Sequence, residues 1–322
     1  MDRLLLTLTI IFVSLIAGCL IRQWAGSGPA PVQESSLKAV RLLIQKIAMF
    51  GLIPVSAMLS LWGLPSPDPR LLVLPALGLA AWICGGVLAV FFSRRMALSP
   101  EKTGSMYCCG TFTNIGAVGC LVAVMQFGEQ AIAMASLYRL CEEMFYFGVA
   151  LPAARSFSAH ASRLSRSFRL HVDPVLAAVL AALALGLVLN LAGVVRPAVL
   201  GTISSAAMIA GTICFLLSIG MGLRPSRMTC YLREAAVISL IKFAFVPVIV
   251  TSLAVLAGLG DVEGGLPLRV VIILSSMPVA MNALIPPSLF DLDLDLANAC
   301  WVFTTLALVV ILPILIIILP LF

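Results

Sequence analysis

CCGTFTNIGAVGC, residues 108–120, lies inside an apolar run that is long enough to cross a membrane. The segment contains three glycines, two threonines and one asparagine. Glycine lowers helix stability by about 1 kcal/mol relative to alanine, and Thr and Asn are also poor helix formers. We therefore predict that a membrane helix is interrupted around Asn114, and this interruption guides the interpretation of the rest of the chain.

The composition of the whole chain indicates a membrane protein. Of its 322 residues, 61% are hydrophobic and 11% are charged, and the mean hydropathy is +1.14. A soluble domain needs more polar residues to cover its surface. A spanning helix needs about 20 apolar residues. We predict an all-α polytopic membrane protein with ten transmembrane helices, at residues 3–24, 38–62, 71–93, 103–127, 131–153, 174–193, 198–222, 233–258, 268–290 and 296–321.

The basic residues indicate orientation rather than a nucleic-acid site. The formal net charge is +6, but the basic residues concentrate in loops that follow odd-numbered spans and form no single stripe. The other loops and ends hold only Arg3, Arg70, Arg196 and Arg269. By the positive-inside rule, we predict a multi-pass protein of the plasma (inner) membrane, with both termini outside the cytoplasm and no nucleic-acid partner.

Cysteine and histidine usage predicts no disulfide framework, no metal site and no cofactor. The nine cysteines are odd in number and lie mostly inside spans. His160 and His171 are the only imidazoles, and both lie in the basic loop. The stretch LIAGC, residues 15–19, resembles a lipoprotein signal. Cleavage before Cys19 would leave nine spans, so the first span is interpreted as a mature helix.

Ten spans divide into two halves of five, residues 1–153 and 174–322, joined by the basic cytoplasmic linker 154–173. Because five is odd, two related halves must have opposite orientations. This inverted-repeat arrangement is typical of many secondary transporters. We find no paired nucleophile and base and no phosphate-binding loop in the sequence, so nothing in it suggests an enzyme.

A second interruption supports the repeat. It reads SSMPVAMNALIPP and covers residues 275–287. Pro278 lies 164 residues after Asn114 and Asn282 lies 168 residues after it, while the starts of spans 5 and 10, at residues 131 and 296, are 165 apart. The agreement of these offsets predicts two broken, crossing helices, spans 4 and 9.

The crossing is the predicted substrate site. Irregular backbone at membrane depth must face protein or a wet cavity, because an unsatisfied peptide group in hydrocarbon costs several kcal/mol. The amino ends of the half-helices carry free N–H groups and favour an anion. The predicted substrate-binding residues are Thr113, Asn114, Gly116, Ser276, Pro278 and Asn282. In the alternative interpretation, the small residues only permit close packing and each Asn bonds a neighbouring helix.

Charged residues inside spans form a second candidate group. They are Arg139, Glu142 and Glu143 in span 5 and Lys242 in span 8. A charge at the bilayer centre costs about 2.5–3.5 kcal/mol on insertion scales, so these groups should face protein or water. We expect Arg139 to pair with Glu143 four residues later, leaving Glu142 to reach Lys242 or stand free. A free carboxyl could bind sodium or a coupling proton, whereas a static clamp between spans 5 and 8 is the alternative.

Several segments resemble the auxin efflux carrier family. They are IAMFGLIPVSAML at 47–59, TFTNIGAVG at 111–119, LIKFAFVPVIV at 240–250, SSMPVAMNALI at 275–285 and TTLALVVILPIL at 304–315. The resemblance covers nearly the whole chain. It implies a bacterial-type permease, related to the bile acid:sodium symporter superfamily, with the family's crossing residues at Asn114, Gly116, Pro278 and Asn282 and its basic residue at Lys242. The sequence departs from the family at Cys120, where a proline often stands.

The resemblance also implies a mechanism. It predicts a scaffold part, 1–62 and 174–222, and a transport part, 71–153 and 233–322, that moves as an elevator in a homodimer. The substrate would be a small organic anion such as a carboxylate. Two other functions stay open: a sodium- or proton-coupled symporter or exchanger that uses Glu142 or Glu143, and a membrane sensor that transports nothing.

Overall fold

The computed structural model describes residues 2–27, 34–64, 68–158, 174–222 and 228–322. The α-helices among them are, in chain order, α1 (Asp2–Ser27), α2 (Glu34–Ile47), α3 (Ile53–Trp62), α4 (Leu74–Arg95), α5 (Pro100–Thr111), α6 (Cys120–Phe127), α7 (Gln130–Tyr138), α8 (Glu142–Phe145), α9 (Leu151–Arg155), α10 (Pro174–Leu191), α11 (Val199–Gly222), α12 (Leu232–Leu240), α13 (Val246–Leu256), α14 (Leu266–Ser275), α15 (Ile285–Leu289) and α16 (Leu294–Ile318). The all-α prediction is confirmed for these residues. Most of the predicted linker, with His160 and His171, lies outside them.

Within the described residues, six helical stretches are long and apolar enough to cross a membrane. They are Leu5–Ala25, Ala39–Trp62, Pro69–Arg95, Val199–Met221, Leu232–Leu256 and Leu294–Leu321. These stretches overlap predicted spans 1, 2, 3, 7, 8 and 10, so the chain is a multi-pass membrane protein. Two shorter apolar helical stretches, Ile115–Phe127 and Leu180–Leu191, fall in predicted spans 4 and 6. The ten-span count stays a prediction.

Predicted spans 4, 5 and 9 consist of short helical pieces. In span 4, α5 ends at Thr111 and a helical turn resumes at Ile115. In span 9, α14 ends at Ser275 and a 3₁₀ turn resumes at Met281. Both predicted interruptions are therefore present. Span 5 has an interruption that the sequence pattern does not predict, at residues 139–141 between α7 and α8.

Wide π-helical turns mark a second kind of irregularity. They cover Ala48–Leu52, Ile115–Gly119, Tyr146–Ala150 and Ile241–Phe245. Three of the four end two residues before a proline, at Pro54, Pro152 and Pro247. Proline has no N–H, and its ring clashes with the carbonyl four residues earlier. The helix therefore widens before each of these prolines and then continues.

The contacts divide the chain into two compact units. The first unit contains Met1–Pro67, Gly116–Ser136 and Val172–Arg224. The second unit contains Asp68–Ile115, Leu137–His171 and Pro225–Phe322. Both interruptions predicted from the sequence are thus represented in the second unit, by the residues up to Ile115 and by the segment around Pro278.

Close helix contact through glycine organises the first unit. A Cβ added to Gly18 of α1 would lie 2.8 Å from the Gly220 Cα of α11, and one added to Gly220 would lie 2.9 Å from the Gly18 Cα. The backbones of α1 and α11 therefore meet directly at this glycine pair. Such small-residue contacts are the usual means of packing membrane helices, because lipid provides no hydrophobic drive between them.

Close backbone contact between glycines also joins α4 to α5 in the second unit. A Cβ on Gly85 would overlap the carbonyl oxygen of Gly110, and a Cβ on Gly110 would overlap that of Gly85. Three residues before Gly85 in α4, Trp82 is buried and stacks on Phe145, with ring centroids 5.9 Å apart. The tight α4–α5 contact fixes the position of Thr111, the last residue of α5 before the break.

Candidate functional site

The two broken segments of the second unit pair with each other through their backbones. The N–H of Asn114 donates to the carbonyl oxygen of Pro278 at 2.8 Å, and the N–H of Ala280 donates to that of Phe112 at 3.1 Å. Thr113 and Val279 lie opposite each other in an isolated antiparallel bridge. Each extended segment thus supplies hydrogen bonds that the other lost when its helix ended, which irregular backbone at membrane depth requires.

Thr304 of α16 supports the bridge from the side. The N–H of Val279 donates to Thr304 Oγ1 at 3.2 Å. Thr304 is fully buried and donates its own proton to the carbonyl oxygen of Cys300 at 2.8 Å. The sequence interpretation missed this residue. Its signal was weak, since a threonine in an apolar helix most often bonds its own preceding turn.

Lys242 is the cation of the site. It lies in the wide turn before Pro247 and is fully buried. Its Nζ donates to Thr113 Oγ1 at 2.7 Å and to the Thr111 carbonyl oxygen at 3.4 Å. Among the side chains that the structure describes, no carboxylate oxygen lies within 4.0 Å of this ammonium. Its partners in the described structure are therefore two neutral oxygens, one at the end of α5 and one in the break.

The prediction that Glu142 stands free or reaches Lys242 is wrong, while the predicted Arg139–Glu143 pair stays a prediction. Arg139 Nε donates to Glu142 Oε2 at 2.8 Å, so Glu142 neither stands free nor pairs with Lys242. The interruption explains this difference. Residues 139–141 form a turn in which the Glu142 N–H donates to the Arg139 carbonyl at 2.9 Å, and the i, i+4 geometry of a continuous helix does not apply. The side chain of Glu143 lies outside the described part of the structure.

Asn282 brings an unused acceptor to the second break. Its side-chain oxygen Oδ1 is buried and has no hydrogen-bond partner among the described residues. The Tyr146 hydroxyl donates to the Asn282 main-chain carbonyl at 3.5 Å, and the Tyr146 ring packs on Phe112 with centroids 4.8 Å apart. Tyr146 therefore touches both breaks. The sequence interpretation did not single it out, although it follows the charged pair within span 5.

The remaining predicted residues are placed as follows. Asn114 is buried, with 7% of its surface exposed, and its backbone belongs to the bridge. Ser276 is buried, and its N–H donates to the Ile273 carbonyl at 3.1 Å. Gly116 lies in the π-helical turn after the first break, in a segment that belongs to the first unit. The second unit thus gathers Thr113, Asn114, Ser276, Pro278, Asn282 and Lys242.

The helices define a class: a multi-pass helical membrane protein with paired backbone breaks inside one compact unit. No family model matches the chain. A curated protein of Methanothermobacter thermautotrophicus is similar to it, with 24% identity over 246 residues, which is 76% of this chain and 77% of the relative. That protein is named an uncharacterized transporter.

Proposed function

We propose that this protein is a secondary membrane transporter, a permease for a small organic anion such as a carboxylate. The observation that carries the proposal is the buried ammonium of Lys242 at the paired breaks, with no described carboxylate within 4.0 Å. A buried charge is stable only when it is compensated by opposite charge or by hydrogen bonds. A bound carboxylate would supply the negative charge that the described protein groups do not.

The neighbouring polar groups fit the same class of substrate. The amide of Asn282 can turn either its oxygen or its nitrogen toward a ligand, and its buried Oδ1 has no described partner. Thr113 can accept from Lys242 and still offer its hydroxyl proton. The half-helix that begins at Met281 points its amino end toward this break, and helix amino ends favour anions.

The proposed mechanism is elevator-type alternating access, with the substrate at the crossing of spans 4 and 9. In this proposal ten spans form a 5+5 inverted repeat of the auxin efflux carrier type, and a transport part moves against a scaffold part. The presence of Asn114, the segment around Pro278 and Lys242 in one compact unit supports it, since a moving part must carry its site as a body, whereas Gly116 and the second half of span 4 belong to the other unit. The membrane is proposed to be the plasma (inner) membrane, with both termini outside and a homodimer as the assembly.

A cation-coupled symporter or exchanger is the second candidate. It would need a carboxylate free to bind sodium or a proton. The ion pair of Glu142 with Arg139 disfavours that role for Glu142, because releasing a partner from a partly buried pair is unfavourable.

The test is a ligand screen by thermal unfolding. The purified protein in detergent is melted with a panel of monocarboxylates, dicarboxylates, aromatic acids and inorganic cations. A ligand at 100 times its Kd raises the free energy of unfolding by about 2.7 kcal/mol, which a melting curve detects. Asn114→Ala and Asn282→Ala are compared with Asn190→Ala. Asn190 is a matched control in the first unit, where its amide donates to Trp62 and Leu64 carbonyl oxygens.

The outcomes separate the three candidate functions. An acid that stabilises the wild type and Asn190→Ala, but neither Asn114→Ala nor Asn282→Ala, supports an anion site at the breaks. Stabilisation by cations alone would contradict the proposed anion carrier and favour a cation-coupled symporter or exchanger. Counterflow of the selected acid in proteoliposomes then distinguishes a transporter from a sensor, because a sensor exchanges no substrate across the bilayer.

A further inference from the structure

A groove of about 510 Å³ lies beside α4 in the second unit, and none of the residues predicted for the substrate site lines it. Its inner part is apolar. Gly86 and Val90 line it, and Val87, with 63% of its surface exposed, lies on the open side. The ring of Tyr107 on α5 forms a wall, because a Cβ on Gly86 would lie 2.9 Å from that ring. The absence of a side chain at Gly86 therefore lets Tyr107 and Thr111 of α5 pack closely against α4 at the base of the groove.

The mouth of the groove is basic. Arg94 and Arg95 line it and are both exposed, at the end of the candidate membrane span Pro69–Arg95. The Arg95 guanidinium lies 5.1 Å from the ring centroid of Phe91, which orients it along the groove. Within the described chain, no carboxylate oxygen lies within 4.0 Å of either guanidinium. The two charges are available to an external anion.

We propose that this groove binds one anionic phospholipid, with its phosphate at Arg94 and Arg95 and an acyl chain along Gly86, Val87 and Val90. Two adjacent guanidinium groups can bind a phosphate through paired hydrogen bonds. The volume falls within the range of about 300–1,000 Å³ that is usual for small-ligand sites. A headgroup at the end of a membrane span and a chain beside the span match the geometry of a lipid in its own leaflet.

The charge pattern agrees with this occupant. Arg94 and Arg95 belong to the loop that the positive-inside rule assigns to the cytoplasm, where the anionic lipids of a membrane concentrate. Free phosphate would use the arginines but leave the apolar part of the groove empty. The exposed Val87 instead indicates a ligand with a hydrocarbon part. This site is separate from the proposed transport function and does not depend on it.

The test measures lipid binding to the whole purified protein. After delipidation in an uncharged detergent, phosphatidylglycerol, phosphatidylcholine and inorganic phosphate are added separately, and bound lipid is counted by native mass spectrometry alongside the melting temperature. We expect one phosphatidylglycerol to bind and to raise the melting temperature, with less effect from phosphatidylcholine and none from inorganic phosphate. The Arg94→Gln/Arg95→Gln variant should weaken the phosphatidylglycerol affinity by about 30-fold, since each basic group contributes roughly a factor of five.

Two further variants separate a groove from general attraction of lipid to charge. Arg22→Gln/Lys46→Gln removes two basic residues from the same predicted side of the membrane, outside the groove, and should keep the affinity. Val87→Trp fills the open apolar part without touching either arginine, and should weaken phosphatidylglycerol binding. Equal weakening by both double variants, or equal stabilisation by inorganic phosphate and phosphatidylglycerol, would overturn the proposal.

Discussion

Three buried serines of the first unit, Ser56, Ser60 and Ser204, have all their hydroxyls hydrogen-bonded, whereas two polar groups near the breaks of the second unit lack a described partner or counter-charge. In the first unit, Ser56 Oγ donates to the Ser204 carbonyl at 2.8 Å, and Ser204 Oγ donates to the Ser56 carbonyl at 2.9 Å. Ser60 Oγ lies 2.7 Å from both the Ser56 carbonyl oxygen and Ser204 Oγ. In the second unit, the Asn282 Oδ1 has no described partner and Lys242 has no described counter-charge within 4.0 Å.

A half-buried arginine–glutamate pair in the first unit is also fully hydrogen-bonded. Arg196 binds both carboxylate oxygens of Glu129, with Nη2 to Oε2 at 2.8 Å, and also donates to the Leu59 carbonyl at 2.7 Å. Gly63 and Gly201 leave the space for this pair, since a Cβ on either would overlap it. A charge with every partner in place stabilises a structure, and a charge without a counter-ion is available to a ligand.

We expect the largest loss of stability from Gly220→Val, which tests the close packing of α1 against α11. Its side chain cannot fit against the α1 backbone at Gly18, so we expect a loss of about 3 kcal/mol in the free energy of unfolding. Gly51→Ala is the control, because a Cβ there meets no atom within 4 Å. The measurement is the melting temperature of the purified protein. A Gly220→Val protein as stable as Gly51→Ala would show that the two helices are not in contact at this point.

Thr113→Val tests whether Lys242 depends on the broken segment. Valine has nearly the same shape but removes the acceptor 2.7 Å from Nζ, and we expect a loss of about 1.5–3 kcal/mol, the range for hydrogen bonds to charged groups. Thr113→Ser keeps the hydroxyl and should remain within about 0.5 kcal/mol of the wild type. Denaturant or thermal unfolding measures both. Equal stability of the two variants would mean that Lys242 is compensated by another group.

Ser204→Ala tests the hydrogen-bonded serines of the first unit. It removes one of the three hydroxyls that bond one another and should lower the free energy of unfolding by about 1–2 kcal/mol. The rise in melting temperature caused by a bound acid should not change. Ser252→Ala is the control, since that exposed hydroxyl only bonds its own helix at Val248. Loss of the ligand response in Ser204→Ala, with normal melting of the free protein, would place the ligand in the first unit.

Asn282→Ala should have the smallest effect on the ligand-free protein. Because Oδ1 has no described partner, we expect the free energy of unfolding to change by less than about 0.5 kcal/mol. The same substitution should abolish the shift from the selected acid. A ligand-free protein destabilised by more than about 1 kcal/mol would instead indicate that Asn282 bonds a structural group, and the contrast between the two units would fail.

The positions of the breaks could be predicted from the sequence, but their pairing could not. Gly, Asn and Pro lower helix stability locally, so Asn114 and Pro278 marked the two interruptions. The hydrogen bonds between the segments join backbone groups 164 residues apart, for example Asn114 and Pro278, and composition carries no signal for them.

The partner of Glu142 was mispredicted because the helix of span 5 was taken as continuous. Residues 139–141 contain no Gly or Pro, so nothing local to Arg139 indicated a turn. The wide turns had a readable signal, since Pro54, Pro152 and Pro247 stand inside apolar runs where proline cannot complete the helical hydrogen bonds. Thr304 and Tyr146 were missed because their roles depend on tertiary contacts with Val279 and Phe112.

The bridge between Thr113 and Val279 is held by peptide groups, which every residue except proline carries in full. Exchange of a side chain at Asn114 or Ala280 therefore leaves these two hydrogen bonds in place. A descendant of this protein could acquire a new ligand preference through a few such exchanges while its fold stayed intact. Under the proposed function, the bridge makes this region a favourable starting point for directed evolution of substrate choice.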